Sequence, residues 1–126
     1  MARSRIAIKR VYEPAAEGDG TRILVDRLWP RGVSKVAAHI DLWLKDIAPS
    51  TELRRWFNHD PARWKEFAVR YRAELRKLEA LLDVIRQRAR AGPVTLLFST
   101  RDEELNQAMV LQDVLKQSTG RKRVVK

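Results

Sequence analysis

The stretch Ile23-Leu24-Val25-Asp26-Arg27-Leu28-Trp29-Pro30-Arg31-Gly32 decides how the chain is read. Its first three residues form a short apolar run, the pattern of a buried strand, which stops abruptly in charge and turn chemistry. Pro30 presets φ ahead of Arg31, and Gly32 permits a left-handed turn or a close ligand approach. In α/β folds, ligands sit just beyond the carboxyl ends of strands, where such loops project. The stretch therefore reads as the floor of an anion-binding site.

Working outward, Ile6, Ile8 and Val11 suggest a first strand from about Arg5 to Arg10. Pro14, Gly18 and the Asp19-Gly20 turn signal make Tyr12 to Thr21 a loop, leaving the two strands either antiparallel or widely connected in parallel. Downstream, Ile40 to Ile47 mixes Leu42, Leu44 and Ala48 on one parity with Trp43, Lys45 and Asp46. It reads equally as a short edge strand or one helical turn. Ser50 is a good N-cap for a helix over about Thr51 to Asn58, with Glu52 in its first turn.

Asn58-His59-Asp60-Pro61 marks a helix start, with Asp60 as N-cap and Pro61 at the first helical position. From there Trp64, Phe67, Ala68, Tyr71, Leu75, Leu78, Leu82, Ile85 and Ala89 recur at steps of three and four. The spacing predicts one long amphipathic helix over about 61–90, stopped by Ala91-Gly92-Pro93. Val94 to Ser99 is apolar on both parities in its centre, as a fully buried strand is. Thr100-Arg101-Asp102-Glu103 resembles a capping box opening a last helix to about Gln117, with Leu105, Ala108, Met109, Gln112 and Leu115 inward. The order is βαβα grammar: a small, mostly parallel α/β sheet of three to four strands flanked by helices.

The 126 residues are expected to form one domain over 1–117, followed by a basic, disordered tail over 118–126. No stretch approaches the roughly 20 apolar residues of a membrane span, and the start of the chain lacks an apolar signal core. The expectation is a cytoplasmic protein without a membrane partner. The absence of cysteine excludes disulfides, thiolate metal sites and cysteine nucleophiles. A formal net charge of +10 favours anionic partners, either small phosphates and nucleotides or nucleic acid.

Several of these segments also carry a family resemblance. Arg10-Val11-Tyr12-Glu13-Pro14, Val25 to Gly32, Trp43 to Ser50, and Leu53 to Pro61 with its following Arg63-Trp64 resemble the YeaO-like proteins. These belong to a prokaryotic domain of unknown function numbered 488. The similarity covers about Ile6 to Leu115. It implies a small α/β domain and no settled activity, although some members carry the label of transcriptional regulator. More distant relatives look as if they carry Cys, His and Arg near the start of the last helix, and YeaO-like proteins often have a histidine before the asparagine. This chain reads Arg101 to Ala108 without cysteine or histidine and has Leu105 before Asn106.

The sharpest candidates for chemistry are Arg27 and Arg31, whose guanidinium forks match carboxylate and phosphate oxygens at two points. The competing reading pairs Arg27 with Asp26 or Asp46 and leaves Arg31 in solvent. Ser50 and the amides after it offer a helix N-terminus to an anion, although ordinary capping explains Ser50 as well. Arg101 and Asn106 follow the buried strand and would share an edge with the Arg27 loop if the sheet is parallel there. Asp26, beside cations, is the best candidate for a general base, against a structural salt bridge. Trp29 could stack on a base, and the Tyr71 hydroxyl could reach the pocket, against a buried, satisfied phenol.

His39 and His59 are too scattered for a metal site, and there is no phosphate-cradling glycine loop, dinucleotide fingerprint or nucleophile elbow. No cofactor and no metal are therefore expected. The sequence points first to a pocket for a small anionic, phosphate- or nucleotide-like ligand, with hydrolytic or transfer chemistry as an extension. The alternative is a nucleic-acid-binding or transcription-associated module, motivated by the charge and by a helix-turn-helix-like Asn58 to Pro61 junction.

Overall fold

The computed structural model describes the backbone of residues 6–124 and the side chains of residues 6–117. Four strands, β1 (Ile6–Arg10), β2 (Thr21–Leu24), β3 (Leu42–Trp43) and β4 (Val94–Phe98), form one sheet in the order β1-β4-β2-β3. Every pairing is parallel, with Val94 opposite Ile6 on one edge and Thr21 on the other, and Ile23 opposite Leu42. β4 is buried at all its positions, as a strand with neighbours on both edges and cover on both faces must be. The Val11–Gly20 loop therefore joins two strands that are not neighbours, since β4 runs between them.

The two faces of the sheet are covered differently. Ile23, Leu96 and Phe98, on one parity, meet the buried residues of helices α1 (Thr51–Phe57), α2 (Trp64–Leu75), α3 (Glu79–Ala91) and α4 (Gln107–Val124) in one core. Leu24 and Leu97, on the other parity, pack with Val11 and Ile40 against Trp29, Val33 and Ala38. All four helices thus serve one face, and the irregular chain between β2 and β3 serves the other. No helix among the described residues is long and apolar enough to cross a membrane.

Ser50 caps α1 by accepting from the Leu53 amide, and Asp60 accepts from Ala62 with Pro61 following, as the sequence indicates. Both alternatives for Ile40 to Ile47 are realised in succession, as the two-residue β3 and a 3₁₀ turn over Lys45–Ile47. The expected single helix over 61–90 is not formed. A 3₁₀ turn at Pro61–Arg63 leads into α2, and the chain breaks between Leu75 and Glu79 before α3. Lys77 N and Leu78 N bond the carbonyls of Glu74 and Leu75, and Leu78 leaves helical geometry. A straight helix of that length would reach about 45 Å, whereas five-residue strands span about 17 Å. Breaking the helix returns Leu82, Ile85 and Ala89 to the same core as Phe67, Tyr71 and Leu75.

The last helix also starts later than the Thr100 signal suggests. Asp102 accepts from the amides of Glu104 and Leu105 in a loop turn, and Asn106 is the real cap, its side-chain oxygen accepting from Met109 N. Ala108 and Leu115 are fully buried, as the spacing predicts. Val110 and Leu111 are buried, whereas Met109 is exposed. α4 continues past Gln117 to Val124. The side chains over 118–126, on which the reading of a disordered basic tail falls, lie outside the described residues.

At the entry to β2 the backbone is constrained by close approach. Gly20 has φ +66°, and a Cβ there would stand 2.1 Å from the Pro93 carbonyl oxygen. That same oxygen accepts from Thr21 N, while Thr95 Oγ1 donates to the Asp19 carbonyl at 2.8 Å. The Asp19 carboxylate binds buried Arg22, Lys9 Nζ at 2.9 Å and the Ala16 amide, and these bonds outweigh its burial to hold its pKa low. Gly20→Ala is expected to cost at least about 1 kcal/mol in urea unfolding, because backbone rather than a flexible side chain must move. Gly18→Ala, with nothing within 4 Å of the added methyl, is expected to stay within about 0.5 kcal/mol of the parent.

Candidate functional site

The carboxyl ends of β1, β2 and β4 are pinned in register up to the point where the chain leaves the sheet. Val25 N bonds Leu97 O and Val11 N bonds Phe98 O, at 3.0 and 2.8 Å. Arg10 reaches across to the Thr100 and Ser99 carbonyls and fixes the loop after β4. Beyond these ends lies a cavity of about 480 Å³, walled by the Asp26 to Arg31 loop, by Arg54 and Phe57 of α1, and by Ser99, Thr100 and Leu105 to Gln107. An adjoining cavity of about 440 Å³ shares Phe57, His59, Ser99, Thr100 and Leu105 with it and adds Arg101 and Asp102. The two form one cleft.

Asp26 stands at the floor, 8% exposed. Its Oδ1 accepts from Gln107 Nε2 at 2.7 Å, and its backbone carbonyl accepts from Trp43 Nε1 at 2.8 Å. Burial pushes its carboxyl above the usual carboxylate range, against the stabilising influence of Ser99, Gln107 and the Arg54 charge. Ser99 lies close enough to favour the ionised form, yet no donor among the described residues reaches Oδ2 in hydrogen-bond geometry. Oδ2 itself is buried.

The two arginines of the central stretch have separate fates. Arg27 donates from Nε to Pro49 O at 3.1 Å and from Nη2 to Ala48 O at 2.9 Å, with exposed Asp46 3.7 Å from Nη1. Its fork thus staples the loop to the chain before α1, leaving only part of it towards the cavity. Arg31 is exposed at the rim. Its side chain has no ion pair among the described residues, and its carbonyl accepts from Tyr12 Oη at 3.0 Å. Arg54 and Arg101, also exposed, likewise have no ion pair among those residues.

Trp29 also lines the cavity, but its Nε1 donates to Val33 O and its ring meets Trp43 edge-on at 5.2 Å. Asn106 lines it too, with its amide nitrogen on Asp102 O and its oxygen on Met109 N. Ser50 and Tyr71 line neither cavity. Ser50 donates from N and Oγ to the Glu74 carboxylate at 2.8 and 2.6 Å, so the start of α1 is already occupied by an anion of the chain itself. The fully buried Tyr71 hydroxyl donates to Ile47 O at 2.6 Å, and burial pushes its pKa far above the usual phenol range.

Sequence reasoning did not single out Arg54, Gln107 or Ser99 as site residues, and it gave His59 only an entry-turn role. Arg54 comes to the cleft because α1 begins just after the Ala48 and Pro49 carbonyls that hold Arg27, a long-range contact with no local signal. Gln107 carried none. His59 follows Asn58 in left-handed backbone, with φ 53° after 47°. This tight junction joins α1 to α2, but α2 buries Phe67, Tyr71 and Leu75 in the core and is not a free recognition helix.

Over residues 5–125 the chain matches the family model described as "Inactive DUF488-N3 subclade". It belongs to that DUF488 family. It is 45% identical over 111 residues to Uncharacterized protein YeaO of Escherichia coli K12, covering 88% of this chain and 96% of that protein. It is 42% identical over 112 residues to Uncharacterized protein Rv3073c of Mycobacterium tuberculosis H37Rv, covering 89% and 94%. The YeaO-like resemblance read from the motifs is thereby established. No solved structure matches the chain.

Two stability measurements check this geometry. The folded state holds the Asp26 proton more tightly than the unfolded chain, so stability falls as pH rises from about 4 through the raised pKa. Asp26→Asn is therefore expected to raise Tm at pH 7, with the gain closing below about pH 4 in melts across pH. Ser50→Ala removes both the cap and the Glu74 bond, and a loss of about 1–2 kcal/mol is expected in denaturant unfolding.

Proposed function

We propose that this DUF488 chain is a binding module for a small anionic ligand of phosphate or nucleotide type, seated in the cleft beyond β2 and β4. The observation that carries the reading is the set of exposed guanidinium groups around this cleft, Arg31, Arg54 and Arg101, none of which forms a salt bridge among the described residues. The protein spends its other anion-recognition devices on itself: Glu74 fills the start of α1, and two carbonyls hold Arg27. Arginine forks at the carboxyl ends of parallel strands suit phosphate oxygens in both charge and shape.

Binding without turnover is the form of this reading best supported. A hydrolytic or transfer step needs a base beside an activated nucleophile or water. Asp26 is the carboxylate placed for that role, but Gln107 holds one oxygen and burial weakens its tendency to ionise. The family description carries the word inactive, which agrees with the absence of turnover in this reading.

Isothermal titration of inorganic phosphate and adenosine monophosphate at low salt tests the reading. Arg31→Ala/Arg54→Ala is expected to weaken binding at least about tenfold, with wild-type affinity falling as salt rises. Equal affinity in wild type and the double variant would remove the proposal.

A further inference from the structure

The larger cavity is far roomier than a lone phosphate requires. Its volume of about 480 Å³ falls within the roughly 300–1,000 Å³ of sites that enclose whole small molecules. Its wall is also mixed in character. Besides arginines it is lined by Tyr12, from the loop after β1, and by Leu28, Trp29 and Pro30, from the loop after β2. Tyr12 is 47% and Leu28 66% exposed, although both are large and apolar. A single exposed hydrophobic side chain is ordinary. Two that separate connections bring to the wall of one cavity make an apolar surface for a ligand to cover. The Tyr12 ring is also held in place. Its Oη donates to the Arg31 carbonyl at 3.0 Å, and the Arg10 guanidinium lies over the ring, 5.0 Å from its centre. Arg10 is itself anchored on the Ser99 and Thr100 carbonyls. A ring fixed in this way loses little further freedom when a ligand packs on it.

We infer that the ligand of this cleft is a free mononucleotide, its phosphate on Arg31 and Arg54 and its base against Tyr12 and Leu28. The inference rests on the anion-binding reading and narrows its ligand class. Inorganic phosphate or a sugar phosphate would satisfy the guanidinium groups and leave the apolar wall in water. A base joined to the same phosphate covers that wall, and stacking on an aromatic side chain suits any base, because every base has a π face. The two halves of the site are directly connected, since the Tyr12 hydroxyl bonds the backbone of Arg31. The volume of the cavity suits one such unit, which favours a free nucleotide over a strand.

The test titrates adenosine monophosphate, uridine monophosphate and ribose 5-phosphate at low salt into wild type, Tyr12→Phe, Tyr12→Ser/Leu28→Asn and Arg31→Ala/Arg54→Ala. All four substituted positions are exposed, so the core stays intact, and thermal melts check the fold. Wild type is expected to prefer at least one nucleotide over ribose 5-phosphate by about tenfold or more. Tyr12→Phe keeps that preference, Tyr12→Ser/Leu28→Asn brings the affinities together, and the arginine variant weakens all three. A preference that survives Tyr12→Ser/Leu28→Asn overturns the inference. If wild type binds all three equally while the arginine variant loses them, anion binding stands and the nucleotide inference falls. If wild type binds none of them, both fall. A short 5′-phosphorylated strand that outcompetes both nucleotides, and loses that advantage in Tyr12→Ser/Leu28→Asn, would overturn the free-nucleotide assignment. The comparison within wild type decides the matter even should a variant fail to fold.

Discussion

The sheet hangs on one strand. β1 and β2 never touch along their ladders; each is held parallel to Val94–Phe98, which supplies hydrogen bonds on both edges and apolar side chains to both faces. Parallel strands need cover on both sides, and the chain provides it unequally, with four helices on one face and the β2–β3 connection on the other. The Pro93 carbonyl just before this strand makes Gly20 necessary, and the Ser99 and Thr100 carbonyls just after it receive Arg10. Both ends of the sheet are thereby fixed by contacts of a single segment.

That arrangement places three connections at the same rim: the loop after β2, the approach to α1, and the loop before α4. Much of the polar chemistry there is internal. Arg27 closes the first connection against the second, Glu74 closes the start of α1, and Asp102 and Asn106 shape the third. What remains uncommitted among the described residues is the set of exposed guanidinium groups at the rim, Arg31, Arg54 and Arg101.

Local signals of the sequence were readable where short-range physics controls the outcome. Ser50 and Asp60 cap because their side chains reach amides two or three residues away, and Pro61 suits the position that follows. Val94 to Ser99 could be recognised as a buried strand because its apolar run lacks alternation. The thirty-residue stripe misled for the same reason: periodicity records which face is apolar, not whether the helix can stay straight over a sheet of short strands. The Thr100 signal misled because two overlapping turns, at Asp102 and Asn106, offer caps of similar quality. Packing of Val110 and Leu111 selected the later one.

By itself the sequence determined the α/β class, the family and the caps at Ser50 and Asp60, since each depends on residue type and spacing along the chain. Tertiary structure alone decided which candidates share a cleft. It paired Ser50 with Glu74 and Tyr71 with Ile47, consumed Arg27 on carbonyls far away in sequence, and brought Arg54, Gln107 and Ser99 to Asp26. A side chain's availability depends on what long-range packing puts beside it, and no local pattern records that neighbour.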